Sequence, residues 1–162
     1  MFKGEQYFAQ DSFALALNGN GADYLGFEAI IDDYGTTDAA NLAKAYAGIC
    51  YFKLGDTKKA LDLLKSYDGS DKMIAPSVTG LIGDCLVNEG KVKDGIGYFE
   101  KAASQADNEV ISPVYLKKAG LAYESLNQPK DAVKAYTTIK EKYFNSLEAA
   151  DIDKYIARAS AK

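Results

Sequence analysis

Three sets of residues have the types and spacing to do chemistry. Asp32 and Asp33 are adjacent carboxylates, which perform acid–base work when their surroundings push their pKa values apart. Next neighbours on a helix point in different directions, so this pair reads as two solvated acids. Gly19-Asn20-Gly21 has the glycine content of a phosphate cradle but neither a Gly-Lys-Ser/Thr after it nor a strand before it, so it reads as a turn. Cys50 and Cys85 each lie two residues after a glycine, Gly48 and Gly83, and read as small hydrophobes packed between helices. A bridge needs Cα atoms within about 7 Å, whereas packed helix axes stand about 8–10 Å apart, so two free thiols are expected. The chain has no histidine, which removes the imidazole acid–base group and the commonest metal ligand. With no Ser or Cys beside a base and no clustered ligands, neither an enzyme, a cofactor nor a metal site is expected.

What those residues sit on is legible from small residues in step. Gly48 and Ala60 are 12 apart, as are Ala14 and Gly26, Gly83 and Gly95, and Gly120 and Ala132. The first member of each pair, at 14, 48, 83 and 120, recurs after 34, 35 and 37 residues. A glycine inside a helix costs about 1 kcal/mol relative to alanine, so its recurrence at one register implies a compensating close approach of two helices. The larger residue three or four positions later, Tyr51 and Leu64 in the central pair, fills the space beside that contact.

Around these anchors the apolar spacing predicts helices only. The first runs from about Lys3 to Asn18 and the second from Ala22 to Tyr34, separated by the Asn18–Gly21 turn. Asn41–Leu54 and a helix ending near Tyr67 hinge at Gly55-Asp56. Pro76, Pro113 and Pro129 each mark a helix start, where a missing N–H is harmless. Asn145-Ser146 precedes a last helix, Leu147 to Ala159, expected to cap the apolar end of the stack.

The order Gly48, Tyr51, Ala60, Leu64 resembles the tetratricopeptide pattern G-x2-Y…A-x3-F. The resemblance implies an all-α fold, a right-handed α-solenoid of four helix-turn-helix repeats over about 3–36, 38–70, 73–107 and 110–144. A capping helix over about 146–160 completes a single domain of 1–162. More closely, DSFALALNGNG, GFEAIIDDYGTTDAANLAKAYAGICYFKLGD, SPVYLKKAGLAYE and DIDKYIARA resemble the repeat domain of membrane-anchored tetratricopeptide proteins of the bacterial cell envelope. That likeness implies an anchor upstream of Met1, a periplasm-facing domain and protein partners in an envelope or secretory assembly. Lys44 and Lys72 depart from it at the family's Trp and Pro positions.

A formal net charge of −4 with scattered lysines argues against nucleic acid, which draws on clustered Lys and Arg. No run of 18 apolar residues spans a membrane, and the opening MFKGEQYF has no signal-peptide core. In the family the first helix of each repeat lines a concave face that receives a protein or peptide partner. Carried over by register, Tyr46, Ile49 and Phe52 are the apolar anchor, and Lys53, Asp84, Asn88 and Lys117 the orienting polar groups. The Lys–Asn clamp for a peptide carboxylate is absent, since Ala45 and Ile49 stand in its place. Helix 41–54 is apolar on two faces, and a helix apolar all round is usually buried. Its second face therefore has two readings: a groove for a partner segment, or buried packing that includes a homodimer interface.

Overall fold

The structure, a computed structural model, describes residues 1–161. Among them there is no β-strand, and the chain forms two compact units, Met1–Gly69 and Ser70–Lys162. The first holds α1 (Phe2–Ala9), α2 (Phe13–Asn18), α3 (Phe27–Tyr34), α4 (Asp38–Lys53) and α5 (Thr57–Ser66). The second holds α6 (Ile74–Asn88), α7 (Val92–Ala106), α8 (Ser112–Ser125), α9 (Pro129–Lys142), a 3-10 turn (Glu148–Asp151) and α10 (Ile152–Ser160). The all-α expectation holds.

Each of the hairpins α4/α5, α6/α7 and α8/α9 is closed by one device. Gly55, Gly90 and Asn127 adopt left-handed φ values of 89°, 78° and 60°. At each, the left-handed residue donates to the carbonyl three residues back and its successor to the one five back, as in Asp56 N to Tyr51 O at 2.9 Å. These bonds satisfy carbonyls that a helix end leaves unpaired. Asp56 then begins α5 by accepting from Lys59 N at 3.1 Å, as Thr37 begins α4 by accepting from Ala40 N at 3.1 Å.

The small-residue seams are as tight as their spacing implies. A Cβ on Gly48 would lie 2.6 Å from Leu64 Cγ, and one on Gly95 would lie 2.9 Å from the Gly83 carbonyl oxygen. On Gly120 it would run into the ring of Tyr136, which is fully buried. What favours glycine at these positions is space, not φ.

The first 34 residues depart from expectation. The helix predicted over Lys3–Asn18 is broken into α1 and α2 at Asp11, whose φ is 55°. Asp11 N donates to Phe8 O at 3.0 Å and Ser12 N to Tyr7 O at 2.9 Å, the same closure seen at Gly55. Gly4 therefore stands seven residues before its left-handed turn, as Gly48, Gly83 and Gly120 do before theirs. Ala14 is exposed, and Gly26 packs on the backbone of Leu17 and Asn18 rather than on Ala14. The second helix also starts late, at Phe27 instead of Ala22. Asn20 Oδ1 accepts from the N–H groups of Ala22, Asp23 and Tyr24, each at 3.1 Å, holding that stretch as a turn. An Asn that bonds its own following backbone competes with helix formation.

The terminal helix has the expected place but a tighter start. Ser146 Oγ accepts from Ala149 N at 3.2 Å, and the first turn is 3-10 before α10 begins at Ile152. Ile152 and Ala159 close the cluster around Ala132, Tyr136 and Ile139.

Candidate interaction surface

Helix α4 is positioned by the Gly48 seam on one side and by an aromatic cluster on another. The Tyr46 ring stacks on Phe27 at 5.2 Å between centroids and 12° between planes, and meets Phe8 edge-on at 5.0 Å. Burial, then the nearby Glu5 carboxylate, raises its phenol pKa. Tyr46 is thus part of the packing of α1, α3 and α4 within the first unit. Ile49 and Phe52 on the adjoining face are half-buried, and Lys53 is exposed.

Tyr51 ties α4 back to α3, donating to the Glu28 carboxylate. Tyr123 repeats the bond in the second unit, donating to Glu100 Oε1 at 2.7 Å; in both cases the partners are 23 residues apart. Burial and the acceptor carboxylate raise both phenol pKa values, that of Tyr123 to about 12.

In the second unit the orienting residues are engaged by neighbours. Asp84 accepts from Lys118 Nζ at 2.6 Å, and the Lys118 ammonium stands 5.5 Å from the Tyr115 ring centroid. Lys117 Nζ donates to Asp151 Oδ1 at 2.8 Å and lies 4.4 Å above the Tyr155 ring. Burial works against the Lys117 charge, but the Asp151 bond and the Tyr155 contact outweigh it, so its pKa is raised. Asp151 is held below the usual carboxylate range by Lys117, with Lys154 contributing. Asn88 is exposed.

The partners of these residues were the part missed by sequence reasoning. Arg158 donates from Nη2 and Nε to Glu124 at 2.5 and 3.1 Å, and Tyr136 OH adds a third donor at 2.8 Å. The Glu124 side chain is only 6 % exposed. Asp84–Lys118, Lys117–Asp151 and Glu124–Arg158 are each separated by 34 residues, three fewer than the step from Gly83 to Gly120. Opposite charges at that separation, one helical turn short of the repeat, were the available signal.

Among the described residues no group of three or more metal-ligating side chains occurs. Cys50 and Cys85 are free and buried, and burial pushes their thiols up to about 12 and about 11, away from the reactive thiolate. No described helix is long and apolar enough to cross a membrane.

The family model for the tetratricopeptide repeat matches residues 46–67 and 115–146, the α4/α5 hairpin and the α8/α9 hairpin with the turn beyond it. The chain is a tetratricopeptide repeat protein. Its fold is similar to that in the crystal structure of MamA, with a TM-score of 0.68 at 16 % identity over 98 % of this chain and 92 % of that one. No curated protein matches it. At that identity the likeness to MamA speaks for the fold alone, a helical-repeat solenoid, and the tetratricopeptide hairpins account for where the glycine seams fall.

Proposed function

We propose that this tetratricopeptide protein is a non-catalytic scaffold that binds a protein segment along the first helices of its repeats. The observation that carries the reading is on α4: Ile49 and Phe52 keep part of their surface open beside exposed Lys53, while Tyr46 is committed to Phe8 and Phe27. An apolar anchor with a charged neighbour is how repeat scaffolds hold an extended or helical segment. In the second unit, Asn88 and the Asp84–Lys118 pair supply polar contacts, and Lys117 holds the surface in shape through Asp151. The resemblance to envelope tetratricopeptide proteins supports an assembly role at the bacterial envelope, which fractionation of cells producing the tagged full-length protein tests.

Selection of a displayed peptide library on the immobilised protein tests the binding reading. Selected peptides should lose at least tenfold in affinity for Phe52→Ala, and Lys53→Glu should alter their charge preference. A dimer seen by light scattering that Phe52→Ala dissolves would assign the same face to self-association. Peptides indifferent to both variants would refute the assignment.

A further inference from the structure

The chain has seven asparagines, and the two that precede a glycine both lie in one loop, Asn18-Gly19-Asn20-Gly21. An asparagine before glycine is chemically labile, because a residue without Cβ leaves its backbone nitrogen open to attack the preceding carboxamide. The loop holds both pairs away from that reaction. Asn20 Oδ1 accepts from the N–H groups of Ala22, Asp23 and Tyr24, each at 3.1 Å, and Nδ2 donates to Asp23 Oδ1 at 2.8 Å and to Tyr7 OH at 3.1 Å. Turning the carboxamide carbon onto Gly21 N breaks these bonds. At the other pair, Asn18 Nδ2 donates to Ala14 O at 3.1 Å, and the attacking group, Gly19 N, is committed to Leu15 O at 2.9 Å. Asn18 and Asn20 are nevertheless exposed, and bonds at a surface loop open locally at far less cost than the whole fold.

We propose that Asn20 is a modification site gated by the fold: the closed loop keeps the pair unreacted, and opening of residues 18–24 commits it to deamidation. In the open loop Gly21 N loses its proton to a base from the solvent and bonds to Asn20 Cγ. The Cγ–Nδ2 bond breaks, and ammonia leaves with a proton from water. Water then adds to the five-membered imide. Cleavage at the side-chain carbonyl yields aspartate, and cleavage at the main-chain carbonyl yields isoaspartate, whose backbone is one atom longer.

Neither product restores the loop. Aspartate still accepts from the three N–H groups, but it sets a carboxylate against Asp23 where Nδ2 had donated. Lys3, ion-paired with Asp23, then stands against two carboxylates, and Gln6, Gln10 and Tyr7 around the same hollow are neutral. Isoaspartate lengthens the turn itself, which the Asn20 N to Tyr24 O bond closes at 3.0 Å. Tyr24 is what the turn delivers: its hydroxyl donates to Ala16 O at 2.7 Å, and its ring meets Phe27, which stacks on Tyr46. Reaction at Asn20 therefore loosens the packing of α1, α3 and α4, and each opening that ends in reaction is irreversible.

The experiment incubates the whole chain at pH 8 and 37 °C, folded and in urea above its unfolding midpoint, and follows each asparagine by peptide mass mapping. In urea Asn20 should deamidate faster than the five asparagines not followed by glycine. In the folded protein it should be slowed about tenfold or more, since only the open loop reacts. Asp23→Ala takes one acceptor from the carboxamide and should speed the folded reaction while leaving the rate in urea unchanged. Tyr7→Phe should do the same through the other acceptor, which keeps the test decisive if the first variant folds poorly. The isoaspartyl form, separated by ion exchange, should have a lower urea midpoint than the unmodified chain, and Asn20→Asp, which adds the charge without the longer backbone, a smaller loss. Equal rates folded and in urea, a folded rate indifferent to both variants, or an isoaspartyl protein as stable as the unmodified chain would each overturn the inference.

Discussion

Gly95 and Gly97 lie two residues apart in the interior of one helix, α7, and are expected to respond differently to alanine. Either replacement gains about 1 kcal/mol of helix propensity. At Gly97 no atom lies within 4 Å of the added Cβ, so the gain is kept. At Gly95 the Cβ would stand 2.6 Å from Val87 Cγ2 and 2.9 Å from the Gly83 carbonyl oxygen. The valine end can turn aside, but the carbonyl belongs to α6 and moves only with its helix. Forcing an extra carbon into such a seam costs about 1–3 kcal/mol, so Gly95→Ala is expected to be neutral to about 2 kcal/mol destabilised. The two variants should therefore differ by about 1–3 kcal/mol, or roughly 2–12 °C in melting temperature for a chain of this size. Urea titration followed by far-UV circular dichroism measures it, with unchanged m-values required so that a midpoint shift reports stability. If Gly95→Ala were as stable as Gly97→Ala, the close approach of α6 and α7 would not be what holds glycine at that register.

Tyr46→Ala should lower stability by about 2–4 kcal/mol, since it removes a large ring stacked on Phe27 and edge-on to Phe8; a loss below about 0.5 kcal/mol in the same titration would remove Tyr46 from the packing. Arg158→Ala should measurably lower the urea midpoint, because it takes two charge-assisted donors from the nearly buried Glu124. Lys154→Ala, whose bond to Asp151 is exposed at 3.3 Å, should cost less than about 0.5 kcal/mol, and equal losses would show that burial of Glu124 does not matter. Cys50 and Cys85, with thiols raised by burial to about 12 and about 11, should resist a thiol reagent in the folded protein at pH 8. Both should react in denaturant without reductant, and a count of zero would mean that they are bridged.

The repeats from Thr37 onward were legible because their signals were steric and local. Gly48, Gly83 and Gly120 mark close approach, and Gly55, Gly90 and Pro129 punctuate the hairpins. The opening stretch was not. Asp11-Ser12 sits inside an unbroken apolar rhythm of Phe8, Phe13 and Leu17, and an aspartate in the left-handed region carries a far weaker signal than a glycine does. Asn20, read as part of a plain turn, organises the whole stretch up to Tyr24 through its side chain. Among the predicted surface residues, Tyr46 could not be told from a groove residue by periodicity, because the rings that cover it come from Phe8 and Phe27 on other helices. Asp84 and Lys117 were correctly placed on first helices, yet which charge meets which depends on the stagger between neighbouring helices, a quantity that composition does not carry.

That stagger makes the repeats of the second unit non-interchangeable. If a duplicate of α8/α9 were inserted ahead of α10, the duplicate's own α8 would replace α10 beside the original one. Position 151 would then be filled by the counterpart of Val114, and position 158 by that of Leu121, each 37 residues earlier. Lys117 and Glu124 of the original copy would face aliphatic side chains, with no opposite charge to answer them. Each junction thus carries an address, one acid and lysine between α6 and α8, and between α8 and the terminal segment one pair of that polarity, Glu124–Arg158, and one of the reverse, Lys117–Asp151. An array lengthened by simple copying would meet its own unanswered charges, so growth of this chain by duplication requires the junction residues to change with it.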